Sequence, residues 1–310
     1  MKLNPFHLFL ILFTGLSLHA QQSTQITQWN FHQFSYNPAH AGIKRCFDVH
    51  ALFRTQWVGF QGAPQNGVFT FSAPLKSKRT KFLSARHGMG FRFENDRIGP
   101  FTSNRFNIAY ARHVNFTQDN RLSMGLYGGI LQLSYNGSSL IVNQPDPSVT
   151  REATMVLPDA HAGLWWNSTT YYVGLSIQNL IQMKWRNVGF DSRNKLHILL
   201  NGGYQFELNE SLNLEPLLMV KIPPKGPLAF DLNLMLDYQN KFGFGVGYRN
   251  TDALLFFANF KIKEQLSIHY SFDFTLSKIQ KGAQNTHEVS LIFTGCKVRS
   301  KKVNACPLFE

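Results

Sequence analysis

Residues 47–57, FDVHALFRTQW, alternate along the chain. Phe47, Val49, Ala51, Phe53 and Trp57 are apolar at odd positions apart from Thr55, whereas Asp48, His50, Arg54 and Gln56 are polar at even positions around one Leu52. A period of two is that of a β-strand, whose successive side chains leave opposite faces. The pattern returns in LAFDLNLMLDY (228–238), FGFGVGYR (242–249) and LSIHYSFDF (266–274), each with one strictly apolar face. Over the whole chain it predicts strands at 46–57, 66–75, 87–95, 104–114, 121–133, 159–167, 170–178, 195–206, 211–222, 228–238, 242–249, 253–262, 265–275 and 286–294. The number, fourteen, is even, and most of these runs have the length that a tilted strand needs to cross a bilayer.

Alternation alone leaves the solvent of each face open. In a soluble β-sandwich the polar face meets bulk water and carries Lys, Glu and Thr. In a membrane barrel the apolar face meets lipid and the polar face lines a lumen. Here the polar faces are rich in Gly, Ser, Asn and His, which suits a crowded lumen. Connection lengths give an independent test, because barrels alternate tight periplasmic turns with longer extracellular loops. Segments 134–158, 179–194 and 276–285 are long and fall on one side by parity, while ST (168–169), LNES (208–211) and QNK (239–241) are short and fall on the other. The fold expected is all-β, a 14-stranded antiparallel transmembrane β-barrel. In it Phe47, Val49, Phe53 and Trp57 face lipid, with Trp57 in the outer aromatic girdle, and Asp48, His50, Arg54 and Gln56 point inward.

Composition agrees. Phe alone accounts for 28 of 310 residues while charged residues make up only 16%, so an environment that tolerates outward rings is expected. Residues 1–20, MKLNPFHLFLILFTGLSLHA, read as a secretory signal peptide: Lys2, an apolar stretch shorter than a spanning helix, then small residues before Gln21. The expected organisation is signal peptide 1–20, a periplasmic or lumenal segment 21–45, barrel 46–294 and a basic periplasmic tail 295–310. The net charge of +13 would suit nucleic acid, anionic lipid or acidic protein, and export removes nucleic acid from that set. Cys46, Cys296 and Cys306 are too few for a disulfide scaffold and have no metal-ligand spacing, so no metal or other cofactor is expected. In an oxidising compartment they can pair. Cys46–Cys296 would staple the seam between the first and last strands, with Cys46–Cys306 and Cys296–Cys306 as competitors.

Residues 76–86, KSKRTKFLSAR, form a long connection on the tight-turn side, carrying Lys76, Lys78, Arg79, Lys81 and Arg86 without an acid. Barrel closure does not need such a loop; it is either solvated or a docking patch for an acidic periplasmic partner. Residues 21–45 are expected to enter the lumen as a partial plug through Trp29, Phe31, Phe34 and Tyr36, because a 14-stranded barrel is wider than its own side chains fill. Asp273, His287 and Glu288 are candidates for an inward hydrogen-bonded cluster.

The segments YNPAHAG (36–42) and RTQWVGFQGAPQ (54–65) together resemble the PorP/SprF family of outer-membrane proteins. GMGFRFENDRIGPF (88–101), PDAHAGLWW (158–166), FGVGYRNTDA (244–253), YSFDF (270–274) and THEVSL (286–291) are similar to later family motifs in the same order. The chain departs in having His40 where Tyr is usual and Asn66 where Thr is common. The resemblance implies a non-enzymatic 14-stranded barrel of type IX secretion and, in gliding bacteria, of surface adhesin delivery. Its implied partners are membrane lipid and either periplasmic ring subunits or a client adhesin bearing a type B C-terminal signal. The motif residues it singles out are Asn37, Pro38, Gly42, Arg54, Gln56, Trp57, Gly59, Gly62, Pro64, Asp96 and Gly99, most of which have a ready structural reading as shapers of turns and of the entry into the first strand.

Two other classes compete. A porin for small solutes or lipids would favour an open lumen with organised charge rows, not Gly-rich inward faces. A barrel enzyme would need nucleophile, base and orienting group together. His161, His197, His269 and His287 are expected inward, with Ser267 and Ser271 beside His269, but i and i+2 on one strand are about 7 Å apart, and no GxSxG motif is present.

Overall fold

The computed structural model describes residues 25–75, 85–117, 119–137, 152–185, 193–224, 226–282 and 284–295. The basic connection through Lys76, Lys78, Arg79 and Lys81, the signal segment, the tail and both Cys296 and Cys306 lie outside them.

Fifteen strand segments are present: β1 Asp48–Thr55, β2 Gln65–Leu75, β3 Arg86–Ile98, β4 Phe101–Asn115, β5 Arg121–Asn136, β6 Glu152–Asn167, β7 Tyr171–Gln178, β8 His197–Tyr204, β9 Phe206–Asn209, β10 Leu212–Ile222, β11 Ala229–Tyr238, β12 Phe242–Arg249, β13 Ala253–Lys263, β14 Leu266–Thr275 and β15 Thr286–Thr294. β8 and β9 both pair with β10 and form one wall strand interrupted at Gln205. Every wall strand pairs antiparallel with its sequence neighbours, and β15 returns to β1 with Asp48 opposite Thr294 and Thr55 opposite His287. The result is a closed 14-stranded antiparallel barrel, which leaves no sheet edge unpaired. Among the described residues no helix is long and apolar enough to cross a membrane.

The alternation decides the two faces. On β1, Phe53 is 57% exposed and its neighbour Arg54 1%. On β11, Phe230, Leu232, Leu234, Leu236 and Tyr238 are exposed while Asp231, Asn233 and Met235 are buried. The protein is therefore apolar outside and largely polar inside, as a bilayer requires. Aromatic pairs on the outer surface, Phe116 with Trp166 and Phe242 with Phe260 at the tight-turn end and Phe230 with Tyr248 at the other, suit the two interfaces.

Several strands are longer than alternation indicates. β3 and β4 pair through Ile98 opposite Phe101, so the connection expected at 96–103 reduces to Gly99–Pro100. β5 and β6 pair as far as Asn136 opposite Glu152, so the loop expected at 134–158 shrinks to 137–151. Beyond the lipid the outer face has no reason to stay apolar, yet the ladder continues. β1 is shorter than expected and ends at Thr55; Trp57 lies past it, half-buried, with a left-handed φ of 48°. It is thus a loop residue and not part of the strand's lipid face.

Candidate functional site

The segment from Ile26 to Ile43 lies inside the ring of strands. Ile26, Trp29, Phe34, Tyr36, Ala39, Ala41 and Ile43 are all buried, and Phe31 packs against the same core. A helical turn, Gln33–Tyr36, and a 3-10 turn, Pro38–His40, shape it. Asn37 caps the second turn by accepting from the Ala39 N–H at 3.0 Å, and Pro38 needs no hydrogen-bond partner at its nitrogen.

Three sets of contacts hold this segment to the wall. In the first, the Thr27 N–H donates to Glu288 Oε2 at 2.9 Å and the Gln28 N–H to Glu288 Oε1 at 2.8 Å. The Thr27 hydroxyl donates to Asp273 Oδ2 at 2.8 Å and accepts from Arg54 and Arg249. Arg54 pairs with Asp273 (2.9 Å) and Glu288 (3.0 Å); Arg249 pairs with Asp273 (3.0 Å) and Asp231 (3.2 Å); Lys221 pairs with Asp231 (2.9 Å). Arg54, Arg249, Asp231, Asp273 and Glu288 are buried almost completely, and each charge has an opposite partner, which is the condition for keeping charges in a water-poor interior.

In the second, on β3–β6, Arg92 donates to Asn107 Oδ1 at 2.7 Å and to the Ser35 carbonyl, and lies over the Tyr127 ring with its guanidinium carbon 4.5 Å from the centroid. The Tyr127 hydroxyl donates to the Phe34 carbonyl. Asp159 accepts from Asn107 at 2.9 Å and sits 2.8 Å from His161 Nε2. In the third, Asn37 Nδ2 donates to the Leu164 carbonyl at 2.9 Å and the Ser176 hydroxyl to the Tyr36 carbonyl at 2.6 Å. Asn201 Nδ2 donates to Gln33 Oε1 at 2.6 Å, and the Ala41 carbonyl lies 2.9 Å from His113 Nε2.

Small residues make the fit possible. A Cβ on Gly125 would overlap the Pro38–Ala39 backbone, and one on Gly163 would overlap the Asn37 side-chain oxygen. Gly42 adopts φ +61° in contact with the backbone of β2 and β3 at Ala73 and Gly88, a conformation and an approach that only glycine meets without strain.

The sequence-predicted residues divide clearly. Asn37, Pro38 and Gly42 belong to the lumenal segment and Arg54, Asp273 and Glu288 to its clamp. His287 does not join them. It is exposed on the outer face with its Nδ1 2.7 Å from the Tyr270 hydroxyl, because residues 287 and 288 are consecutive on one strand and must point to opposite faces. Gln56, Gly59, Gly62 and Pro64 form a loop latched on both sides: the Gln56 N–H donates to the Pro64 carbonyl (2.9 Å), Gly99 N–H to Gly62 (2.9 Å) and Gln284 N–H to Val58 (2.9 Å). Asp96 accepts from Asn66 Nδ2. Arg86 opens β3 and donates to the Ile43 carbonyl at 3.5 Å. Thr27, Gln28, Arg92, Asn107, Asp231 and Arg249 were not singled out from sequence. For Asp231 and Arg249 the signal was present, a charge on the polar face of a strictly alternating strand.

Of the candidate catalytic histidines, His161, His197 and His269 are inward. Ser267 Oγ lies 2.8 Å from His269 Nε2, closer than the strand spacing implied, since the imidazole leans along the strand to its i−2 neighbour. Among the described residues His269 Nδ1 has no partner, and the ring centroid lies 4.2 Å from that of Phe31 rather than beside the orienting acid that a nucleophilic pair uses.

A closed, outwardly apolar barrel of this kind is an outer-membrane protein. Among solved structures the chain is similar to the CymD monoaromatic hydrocarbon channel (TM-score 0.50, 10% identity, 87% of this chain and 93% of that one) and to the toluene transporter TbuX of Ralstonia pickettii (0.48, 10%, 83% and 91%). The toluene transporter TodX of Pseudomonas putida is a third (0.48, 9%, 88% and 94%). At such identity the likeness concerns the fold alone. No curated protein matches. The family described as type IX secretion system membrane protein PorP/SprF matches residues 18–293, and the chain belongs to it. This is an outer-membrane protein of type IX secretion, and its family and fold are of non-enzymatic kinds.

Proposed function

We propose that this barrel is a non-catalytic membrane anchor and docking platform of the type IX secretion machinery, and of gliding where the host glides. Its partners on this reading are periplasmic ring subunits or a client adhesin with a type B C-terminal signal. The observation that carries the reading is the clamped lumenal segment. A barrel whose interior is occupied from Ile26 to Ile43, with buried ion pairs closing on Thr27, suits a rigid body that presents its two ends better than a wide solute channel. The basic connection 76–86 would supply the periplasmic contact, with Lys76, Lys78, Arg79 and Lys81 as its charges.

The test is purification of the tagged protein from outer membranes in mild detergent, with mass spectrometry of what accompanies it. Recovery of ring lipoproteins or a large surface protein, lost in a variant carrying Lys76→Glu, Lys78→Glu, Arg79→Glu and Lys81→Glu, is the expected result. Recovery of the barrel alone, with steady single-channel conductance in planar bilayers, would overturn the reading in favour of a porin.

A further inference from the structure

The lumen changes character towards its long-loop end. Deeper in, the inward apolar side chains, among them Trp165, Leu217, Met235 and Phe257, pack on the lumenal segment between polar and paired charged positions, whereas at the mouth of β3, β5 and β6 Ile98, Leu131, Leu133 and Met155 line a cavity. Lumenal positions that meet only water are polar, so inward apolar side chains at an open mouth call for an occupant. They wall a half-open cavity of about 400 Å³, floored by Ile26 and Tyr36 of the lumenal segment. Cavities of roughly 300–1,000 Å³ with mainly apolar walls and few polar groups are typical of small-ligand sites.

The charges around the cavity are unevenly matched. Arg105, at its base, is already engaged by Glu94 at 3.2 Å and Asp159 at 3.0 Å. Lys195, on the rim just before β8, forms no ion pair among the described residues. Beside it Trp185 is fixed by its indole N–H, which donates to Asn194 Oδ1 at 3.1 Å. The vestibule therefore combines an apolar wall and a positioned indole with charges of both signs, Arg92, Glu94, Asp96, Arg105 and Arg193, and, at the water-facing edge, Lys195, which has no ion pair among the described residues.

We propose that this vestibule binds an amphipathic carboxylate, its apolar body on Ile98, Leu131, Leu133 and Met155 and its anionic head at Lys195. A free aliphatic or aromatic acid and the C-terminal carboxylate of a peptide ending in apolar residues share this chemistry. The proposal stands on the cavity and does not depend on the docking reading above.

The test is calorimetric titration of the full-length barrel in lipid nanodiscs. The probes are 3-phenylpropionate, its uncharged analogue 3-phenylpropan-1-ol, and acetyl-Leu-Phe with either a free or an amidated terminus. Saturable binding of an acid about tenfold tighter than its uncharged counterpart is expected. Leu133→Asp should weaken it by about tenfold or more, and Lys195→Met should erase the preference for the charged form. Neither position touches the clamp, and heat-modifiable migration on gels verifies that each variant is folded. Tighter binding of the small acid identifies a free amphipath as the natural class, and tighter binding of the peptide acid identifies a chain terminus. Absence of saturable binding by both acids, or binding equal for charged and uncharged probes and unchanged in the two variants, would overturn the proposal.

Discussion

Arg54 and Glu288 face each other across the seam of the barrel. They are opposed partners where the first strand meets the last, and Arg54 Nη1 lies 3.0 Å from Glu288 Oε2. The same guanidinium reaches Asp273 on β14 at 2.9 Å and the hydroxyl of Thr27. One side chain thus ties ring closure to the occupied lumen. Removing it leaves Glu288 buried without its cation and Asp273 with Arg249 alone, a change that typically costs about 3–5 kcal/mol. Arg54→Met should lower the temperature at which the folded barrel converts to the slow-migrating form on gels, and adding Glu288→Gln should recover part of the loss by removing one stranded charge. An unchanged transition in Arg54→Met would mean that the pair does not bear on stability.

Gly163 offers a way to disturb the lumenal segment without touching a charge. Its missing side chain is the space in which the Asn37 amide sits, so Gly163→Val puts two methyl groups where that amide must be. The outer face of β6 is untouched, so the barrel should still fold. Planar-bilayer recordings should show larger and noisier conductance than wild type, and a protease added on the periplasmic side should cut within residues 25–45 faster. Wild-type conductance with wild-type proteolysis would show that the wall yields locally and the segment stays in place.

What was legible in the sequence, and what was not, follows from which constraints act on which residues. Lipid on one side and packed chain on the other act on every second residue of β11 and β15, so face, register sense and closure could be read there. Arg54, Asp273 and Glu288 were visible because each puts a charge on a lumen-facing position. His287 faces outward although it adjoins Glu288 in sequence, because on β15 the period of two prevails over the grouping of polar residues. Thr27 and Gln28 gave no signal: they make their contacts from irregular backbone, which has no period, and Glu288, which both their N–H groups meet, is more than 200 residues away. Strand ends such as Asn136 and Glu152 lie beyond the lipid, where only the ladder, and not side-chain chemistry, sustains the strand.

His32 and His40 make the seating of the segment sensitive to acid. Burial keeps His32 neutral, its pKa well below the ordinary 6.5, with further lowering by His50, His269 and Lys44 against an opposing Asp48. Burial likewise brings His40 down to about 3, helped by Lys44, His113 and His50 and opposed again by Asp48. A histidine that must be neutral when seated and can protonate when released leaves stability unchanged above about pH 6.5 and removes it progressively as pH falls from there towards the seated value. Each such group contributes about 1.4 kcal/mol per pH unit in that window. Limited proteolysis of 25–45 should therefore accelerate between pH 7 and pH 5. His32→Phe should flatten the profile without sacrificing a hydrogen bond, since among the described residues neither ring nitrogen of His32 has a partner. An identical profile in the variant would place the acid response elsewhere.

The seam also bears on the disulfide question. Cys46 is disulfide-bonded, and its two possible partners lie outside the described residues. The β1–β15 ladder runs with Asp48 opposite Thr294, and the Gly295 N–H donates to the Phe47 carbonyl at 2.8 Å. Extending that register by one more residue on each strand would set position 46 against position 296. Such a pair would be of the kind without hydrogen bonds between its own backbones, where Cα atoms approach to about 4.5 Å, within the range that a disulfide spans. We therefore propose Cys46–Cys296, which would covalently close the ring at the periplasmic end opposite the clamp formed by Arg54 and Glu288, and would leave Cys306 as a free thiol. Peptide mapping without reduction should recover the 46–296 cross-linked pair and alkylated Cys306. Recovery of a 46–306 pair instead would mean that the tail folds back over the seam and that closure rests on the backbone ladder and the Arg54 network alone.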